Sequence, residues 1–498
     1  MIDTITANLP IFIVILPLFV AFILPTILRK VRLVEALVFL VGLLFAVGTV
    51  WLAFILMNRN GVPIPYEPGG WSAPWGIELK AGNLSVFFLL VIAMVNLPVA
   101  LFGVNNLTKE LGRDKNTARF YVLYLLLIGA LAGMAFTNDL FNIFVLVEVA
   151  TLSCCGLVSA RNTPKAAQAA FSYLILASLG STLILGGIGF IYIITGHLNM
   201  GFAARELANI WVDSPHVVWV AFSFFLVGFG VKIAFFPLHL WLPDAHSAAP
   251  TPASAILSGL AIKGYFICFL KILFNVFGIG LMKALSIDKL FILLGMIAII
   301  AGSLLAIKQD ELKRRLAYST VAQVGYLFVG LGFMNEAGLA GVLLYLAGHA
   351  ICKSILFLSA GAIISATGKE KVSELAGVGR KMPLTMAAFT MASLGLIGIP
   401  LLPGFIGKWY LISGSLAAGK YIPIAIIIMG SVLCAMYLLP LVRTAYFAPA
   451  ADKDWKDPAL PQKVALVLLM AAALFFGVFP GFFLRFAERA AAELLALI

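Results

Sequence analysis

Gly230-Val-Lys-Ile-Ala-Phe-Phe-Pro-Leu-His-Leu-Trp-Leu-Pro-Asp-Ala-His246, followed by Ala-Pro-Thr-Pro up to Pro252, is the stretch on which the fold turns. It opens as the inner half of an apolar helix and places Lys232 among Phe and Val. It then breaks at Pro237 and runs on through His239, Asp244 and His246. A lysine in hydrocarbon costs ~2.5–3.5 kcal/mol, so such a residue has a partner or a task. A proline at that depth frees backbone groups that only surrounding protein or a water-filled cavity can satisfy. A buried cation beside a broken helix marks an ion path, and the rest of the chain has to supply the other half of it.

The composition sets the environment. Hydrophobic residues make up 62% of the 498 and charged residues only 11%, with a mean hydropathy of +1.07. So few charges cannot cover a soluble domain, which makes this an all-α polytopic membrane protein with the lipid bilayer as its surroundings. Apolar segments able to span fall near 10–28, 31–57, 84–104, 118–137, 139–160, 169–195, 216–246, 252–277, 287–307, 316–334, 337–366, 383–418, 421–447 and 463–484. That is about 14 transmembrane helices of roughly 20 residues each. Two of them, 216–246 and 383–418, are interrupted, by Pro237 and by the Pro400 to Gly407 stretch with Pro403.

The formal charge of +12 would suit nucleic acid in a soluble protein. Here the basic residues sit in short loops, so they report topology, and no nucleic-acid partner is expected. Alternate loops hold 21 lysines and arginines on one side and 9 on the other, which places both termini on the extracytoplasmic side of a cytoplasmic (inner) membrane. Arg113 and Lys453 count toward the inner loops, and Lys271 toward an outer one. Asp3, with no lysine or arginine before the apolar run from Pro10 to Leu28, argues against a cleaved leader. The loop 58–83, rich in Pro, Gly and Trp, reads as an ordered outer cap. The segment 448–462, with Asp452, Lys453, Asp454, Lys456 and Asp457, reads as a solvated inner loop. All five cysteines fall inside apolar segments without metal or redox spacing. No phosphate-binding loop, dinucleotide fingerprint or other cofactor motif is present, so no cofactor is expected.

Six titratable groups lie deep within apolar segments: Glu148, Lys232, Lys263, His349, Lys353 and Lys408. One acid kept neutral by burial, or one satisfied core histidine, needs no function. One acid with four lysines and a histidine, at the cost given above for each charge, does. His349 and Lys353 are four apart and share a helix face. Desolvation disfavours both members of a buried Lys–Glu pair while proximity favours them, so opening and closing the pair moves a proton. With a single deep carboxylate among several cations, the oxygen cage that sodium prefers is missing; protons are the expected cargo, and sodium is assigned to a partner. His239, Asp244 and His246 straddle Pro237 and Pro243 and pose an alternative. They line a channel mouth, bond freed backbone groups, or ligate a metal; no further ligand cluster accompanies them, so no metal is expected. Lys232 before Pro237, and Lys408 after Pro400 and Pro403, stand in corresponding interrupted segments, the sequence mark of a transport repeat.

These residues resemble the antiporter-like subunits of respiratory complex I, Mrp cation/proton antiporters and energy-converting membrane hydrogenases. The matching runs are Lys232 to Lys263, Asp310-Glu-Leu-Lys-Arg-Arg-Leu-Ala-Tyr-Ser-Thr320, His349 to Gly361, and Ile399-Pro-Leu-Leu-Pro-Gly-Phe-Ile-Gly-Lys-Trp409. The resemblance implies a fourteen-helix core with two inverted five-helix repeats, each with a broken helix and a half-channel. It divides the chain into residues 1–104, helices 1–3; 105–277, the first repeat; 287–447, the second repeat; and 463–498, a C-terminal helix. It also implies that Glu148, Lys232, Lys263, His349, Lys353 and Lys408 carry protons. The partners it implies are other membrane subunits of an Mrp, complex I-like or hydrogenase assembly. The shorter D-type Mrp or central-subunit shape is the nearer one; a proton-pumping subunit of a complex I-type NADH:quinone oxidoreductase or energy-converting hydrogenase is the alternative, and a non-conducting structural role a further one.

Overall fold

The computed structural model describes residues 8–112, 114–449 and 455–496. Asp3, Arg113, Asp452, Lys453 and Asp454 lie outside the described residues. In chain order the helices are α1 (Leu9–Ile23), α2 (Val31–Asn58), α3 (Asn83–Gly103), α4 (Asn106–Leu111), α5 (Asp114–Phe136), α6 (Leu140–Ser159) and α7 (Pro164–Thr195). Next come α8 (Met200–Ile210), α9 (Pro215–Lys232), α10 (Leu242–Ala248), the long α11 (Thr251–Ala284), α12 (Ile287–Ile307) and α13 (Leu312–Leu331). The chain closes with α14 (Glu336–Thr367), α15 (Pro383–Ile397), α16 (Pro403–Ala417), α17 (Ile422–Phe447), α18 (Leu460–Val478) and α19 (Gly481–Ala496).

Among the described residues, twelve helices are long and apolar enough to cross a membrane. The remaining two of the expected fourteen are α13, whose first turn carries Lys313, Arg314 and Arg315, and the interrupted pair α15 and α16. The chain is an all-α polytopic membrane protein. Several of its helices start where a short polar side chain takes up a free amide. Asp139 accepts from the Asn142 amide at 2.7 Å, Thr163 from Ala166 at 3.2 Å ahead of Pro164, and Asn335 from Gly338 at 2.8 Å. Asp457, expected only to be solvated, caps α15 from a distance, accepting from the Leu384 and Thr385 amides at 3.2 and 3.1 Å and from the Thr385 hydroxyl at 2.8 Å.

Both interruptions occur where the prolines foretold them. After α9, Ala234 takes a positive φ of 56°, and the chain crosses Pro237 before re-forming a helix at Leu242. The Val231 carbonyl at the break accepts from the Ala234 amide at 3.1 Å and from the Trp241 indole at 2.8 Å, so the backbone there is satisfied by protein. Between α15 and α16 the chain turns through Gly398 (φ +99°) and Leu401 (φ +69°). Pro403 then opens α16.

One expectation needs correction. The C-terminal region 463–498 is two helices, not one, because Pro480 lacks the amide to continue α18 and forces a corner. The second piece, α19, buries Phe483, Phe486, Ala487, Ala490, Ala491 and Leu494 at helical spacing and lies against α3 and α14. The loop 58–83 is ordered, as expected, but as a two-stranded antiparallel hairpin, β1 (Ile64–Tyr66) with β2 (Leu79–Ala81). At the centre stands α14, whose most apolar stretch is entirely buried, whereas α1, α2 and α17 turn most of theirs outward to lipid or neighbours.

Candidate functional site

The first break brings Glu148 and Lys232 together. Lys232, the last residue of α9, is fully buried; its ammonium lies 3.5 Å from Glu148 Oε1 and donates to Thr151 Oγ1 at 2.6 Å. Glu148 and Thr151, three apart, present one face of α6, and Ser181 of α7 donates to the Glu148 carboxylate. Thr151 also touches the Tyr265 hydroxyl of α11 at 3.4 Å, and the Tyr265 ring stands 5.9 Å from the Lys232 ammonium. The pair is asymmetric: the Lys232 side chain has no exposure, while 29% of Glu148's is exposed on the outside of the bundle.

Further in, Lys263 and Lys353 are linked by a chain of two hydroxyls and two backbone carbonyls. Lys263 sits just after a π-helical turn of α11, Leu257–Ala261, and its ammonium donates to the Ser258 carbonyl in that turn. The Ser258 hydroxyl meets Thr320 Oγ1 of α13 at 2.9 Å. Thr320 donates to the Leu316 carbonyl at 3.2 Å, and Lys353 of α14 donates to the same carbonyl at 2.6 Å and to the Ser319 hydroxyl. One polar seam therefore runs from α11 across α13 to α14, through residues that are all fully buried.

The second break holds Lys408. Its ammonium takes the Leu396 and Ile397 carbonyls at 2.9 and 3.0 Å, which are the carbonyls freed at the end of α15, and the Ser431 hydroxyl at 2.8 Å. Two tyrosine rings face it, Tyr326 at 4.9 Å and Tyr345 at 5.9 Å. Tyr345 is also stacked 6.4 Å from His349, four residues on along α14, so it stands between the lysine and the histidine. His349 has both ring nitrogens buried without a hydrogen-bond partner among the described groups. The Tyr345 hydroxyl donates to Gln323, which donates in turn to Tyr437 at 2.8 Å.

The residues expected at the mouths separate. His239 stacks on Phe236 at 5.3 Å, and Asp244 is exposed and paired with Arg314 at 2.7 Å. His246 is fully buried with its ring stacked 4.5 Å from Phe357, within electrostatic reach of Lys263, Lys313 and Lys353. The three do not converge on one point, and no group of three metal-ligating side chains forms among the described residues. Pro237 shapes the first break and Pro400 is exposed at the second. Pro403 packs against α14, where a β-carbon on Gly348 would lie 3.0 Å from it.

Residues 137–434 match the transmembrane family of NADH:quinone oxidoreductase and Mrp antiporter chains, Proton_antipo_M. The chain belongs to this family. It is 39% identical over 446 residues to the N subunit of NADH-quinone oxidoreductase from Desulforudis audaxviator, covering 89% of this chain and 87% of that one. It is 28% identical over 464 residues to the D subunit of the Na(+)/H(+) antiporter from Alkalihalophilus pseudofirmus, covering 93% and 92%. A chain of the membrane-bound sulfane sulfur reductase, an archaeal respiratory membrane complex, superposes with a TM-score of 0.90 at 29% identity over 98% of both chains.

Some polar groups of this Proton_antipo_M chain escape sequence reasoning. Lys313, near the end of an apolar run, is 3% exposed and donates to the Ala249 carbonyl at 2.9 Å. Beside it Glu110 of α4 accepts from Arg161 at 2.7 Å, from Asn106 at 2.8 Å and from the Thr251 amide that opens α11 at 3.0 Å. Burial alone would raise the Glu110 carboxyl, but the charges of Lys313 and Arg161 outweigh it and hold it below the usual carboxylate range. Asp310-Glu311 shortly before Lys313, and Glu110 just after an apolar run, give no hint of depth. The hydroxyls Thr151, Ser258 and Thr320 are equally hidden, since short polar residues are common between packed membrane helices.

Proposed function

We propose that this chain is a proton-translocating subunit of a multisubunit membrane complex, passing protons along Glu148, Lys232, Lys263, Lys353, His349 and Lys408. The observation that carries the reading is the Lys232–Glu148 pair at the first broken helix: a wholly buried ammonium 3.5 Å from a half-buried carboxylate. Its lysine sits at the end of α9, beside backbone that can shift, so small movements of the break change the separation and with it the hold on the proton. The polar seam of hydroxyls and backbone carbonyls from Lys263 to Lys353 supports continuity between the two proposed repeats, and Tyr345 supports it onward from His349 to Lys408.

Protons are the cargo of this chain, with sodium left to a partner, and other membrane subunits surround it. Both termini lie on the extracytoplasmic side of the inner membrane, so the β1–β2 hairpin and α19 face outward. An Mrp antiporter with this chain in its D position and a redox-driven oxidoreductase use the same path. The 39% identity to the N subunit of an oxidoreductase favours the second setting for the energy source. Replacing Lys232 by alanine in the assembled complex tests the reading. Proton flux into sealed vesicles should fall at least tenfold with assembly intact, and wild-type flux would leave the chain with a structural role only.

A further inference from the structure

Lys271 has no place in the path above, and its sequence position suggests an outer loop. It is 5% exposed on α11 and donates to three backbone carbonyls at the end of α5: Ala135 at 2.6 Å, Thr137 at 2.9 Å and Met134 at 3.2 Å. It borders a cavity of about 220 Å³ lined with Lys80, Ser85, Thr137, Asn138, Asn275 and Glu493. A second cavity of about 310 Å³ shares Lys80, Asn138 and Asn275 with it, so the two run on beneath the hairpin. The amide oxygen of Asn275 has no hydrogen-bond partner, which is the condition of a group that water serves. Cys268 on α11, Lys80 on β2 and Glu493 on α19 are the titratable groups that face the ammonium.

Lys271 follows Lys263 by eight residues on the same helix, ~12 Å along its axis. Between them α11 meets α5 through apolar contacts: a β-carbon on Gly264 would meet Leu131 Cδ2 at 2.3 Å and the Met134 sulfur at 3.2 Å, and Ile267 is fully buried. Each lysine adjoins a π-helical turn, Leu257–Ala261 before Lys263 and Leu273–Phe277 after Lys271. Such turns loosen the helical ladder and occur at functional places in helices. A short apolar seam between two buried amines, with water-accessible space beyond the second, is the arrangement of a gate that conducts only when wetted.

We propose that Lys271 is the outer proton-exchange group of this chain, an inference that rests on the proton-translocation reading. When the seam at Ile267 hydrates, the Lys263 ammonium gives its proton through water to the neutral Lys271 amine. When the seam is dry, the Lys271 ammonium gives that proton to water in the cavity; the reverse order serves inward movement. The competing role is purely structural, an ammonium capping the C-terminal carbonyls of α5. Arginine separates the two, because it keeps the charge and the donors but does not release a proton.

The test uses the complete complex in sealed vesicles, with flux read by an internal pH-sensitive dye. Lys271→Arg should assemble and melt as wild type while flux falls at least tenfold, and Lys271→Met should lose flux as well. Wild-type flux in Lys271→Arg, with Lys232→Ala inactive, overturns the assignment and leaves Lys271 a helix cap. Wild-type flux in Lys232→Ala overturns the translocation reading itself. Asn275→Leu, which fills the cavity and leaves the cap alone, guards against misfolding of the arginine variant. Its flux should drop severalfold, and an assembled Asn275→Leu complex conducting at the wild-type rate also overturns the proposal.

Discussion

Replacing Glu148 by glutamine removes one charge from the first broken helix while keeping the shape. Glutamine can still accept from Ser181, and Lys232 keeps Thr151 at 2.6 Å, so packing and the local hydrogen bonds survive. What goes is the attraction across 3.5 Å. At an effective dielectric of ~20 this is about 5 kcal/mol before screening. Because 29% of the Glu148 side chain is exposed, half of that is the fairer figure. About 2.5 kcal/mol corresponds to a change of roughly 60-fold in how firmly the ammonium is held. Lys232 then no longer alternates between a paired and an unpaired state, and turnover of the proton at this step stalls. The complex carrying Glu148→Gln, reconstituted in vesicles and followed by dye quenching under its driving reaction, should conduct at least tenfold more slowly, with unchanged polypeptide composition. Wild-type flux from a normally assembled Glu148→Gln complex would refute the reasoning, because the pair would then be a structural ion pair only.

Two other outcomes follow from the same geometry. Thr320→Val keeps the volume of the side chain but removes the hydroxyl that meets Ser258 at 2.9 Å, so flux should fall about tenfold and return in Thr320→Ser, with a stability loss of about 1 kcal/mol in thermal unfolding. Glu110 is held below the usual carboxylate range in the folded protein, so its stabilising contribution is present above the unfolded value of about 4.3 and is lost as pH falls through the depressed value. A melting series from pH 7 to pH 3 should show wild type losing stability below about pH 4, where Glu110→Gln, already less stable at neutral pH, loses less.

The breaks are legible in the sequence because proline and lysine within an apolar run conflict with an uninterrupted membrane helix, and nothing in tertiary structure has to be known to see the conflict. Glu148, Lys232, Lys263, His349, Lys353 and Lys408 stand out for the same reason. Lys271 and Lys313 do not, since each lies near the end of an apolar run, where a loop charge is the ordinary reading. They are buried by distant segments: the region of the β2 strand and α19 roofs the first, and the α4 helix with Glu110 closes on the second. His246, expected at a mouth, is instead stacked flat on Phe357, a contact between segments more than a hundred residues apart. The division of the C-terminal region into α18 and α19 is marked by Pro480, but apolar residues on both sides of it mask the corner.

The enclosure of the middle of α14 has a bearing on how this protein is made. Its neighbours include α15, α16, α18 and α19, all translated after it. Until those segments leave the ribosome, Lys353 already has Leu316 and Ser319 of α13, but the face of α14 where Gly341 and Gly348 receive α16 is unclad. Chains truncated after Thr367 should therefore be held by the insertion machinery or cleared by membrane proteases, although every residue of the first broken helix has already been synthesised.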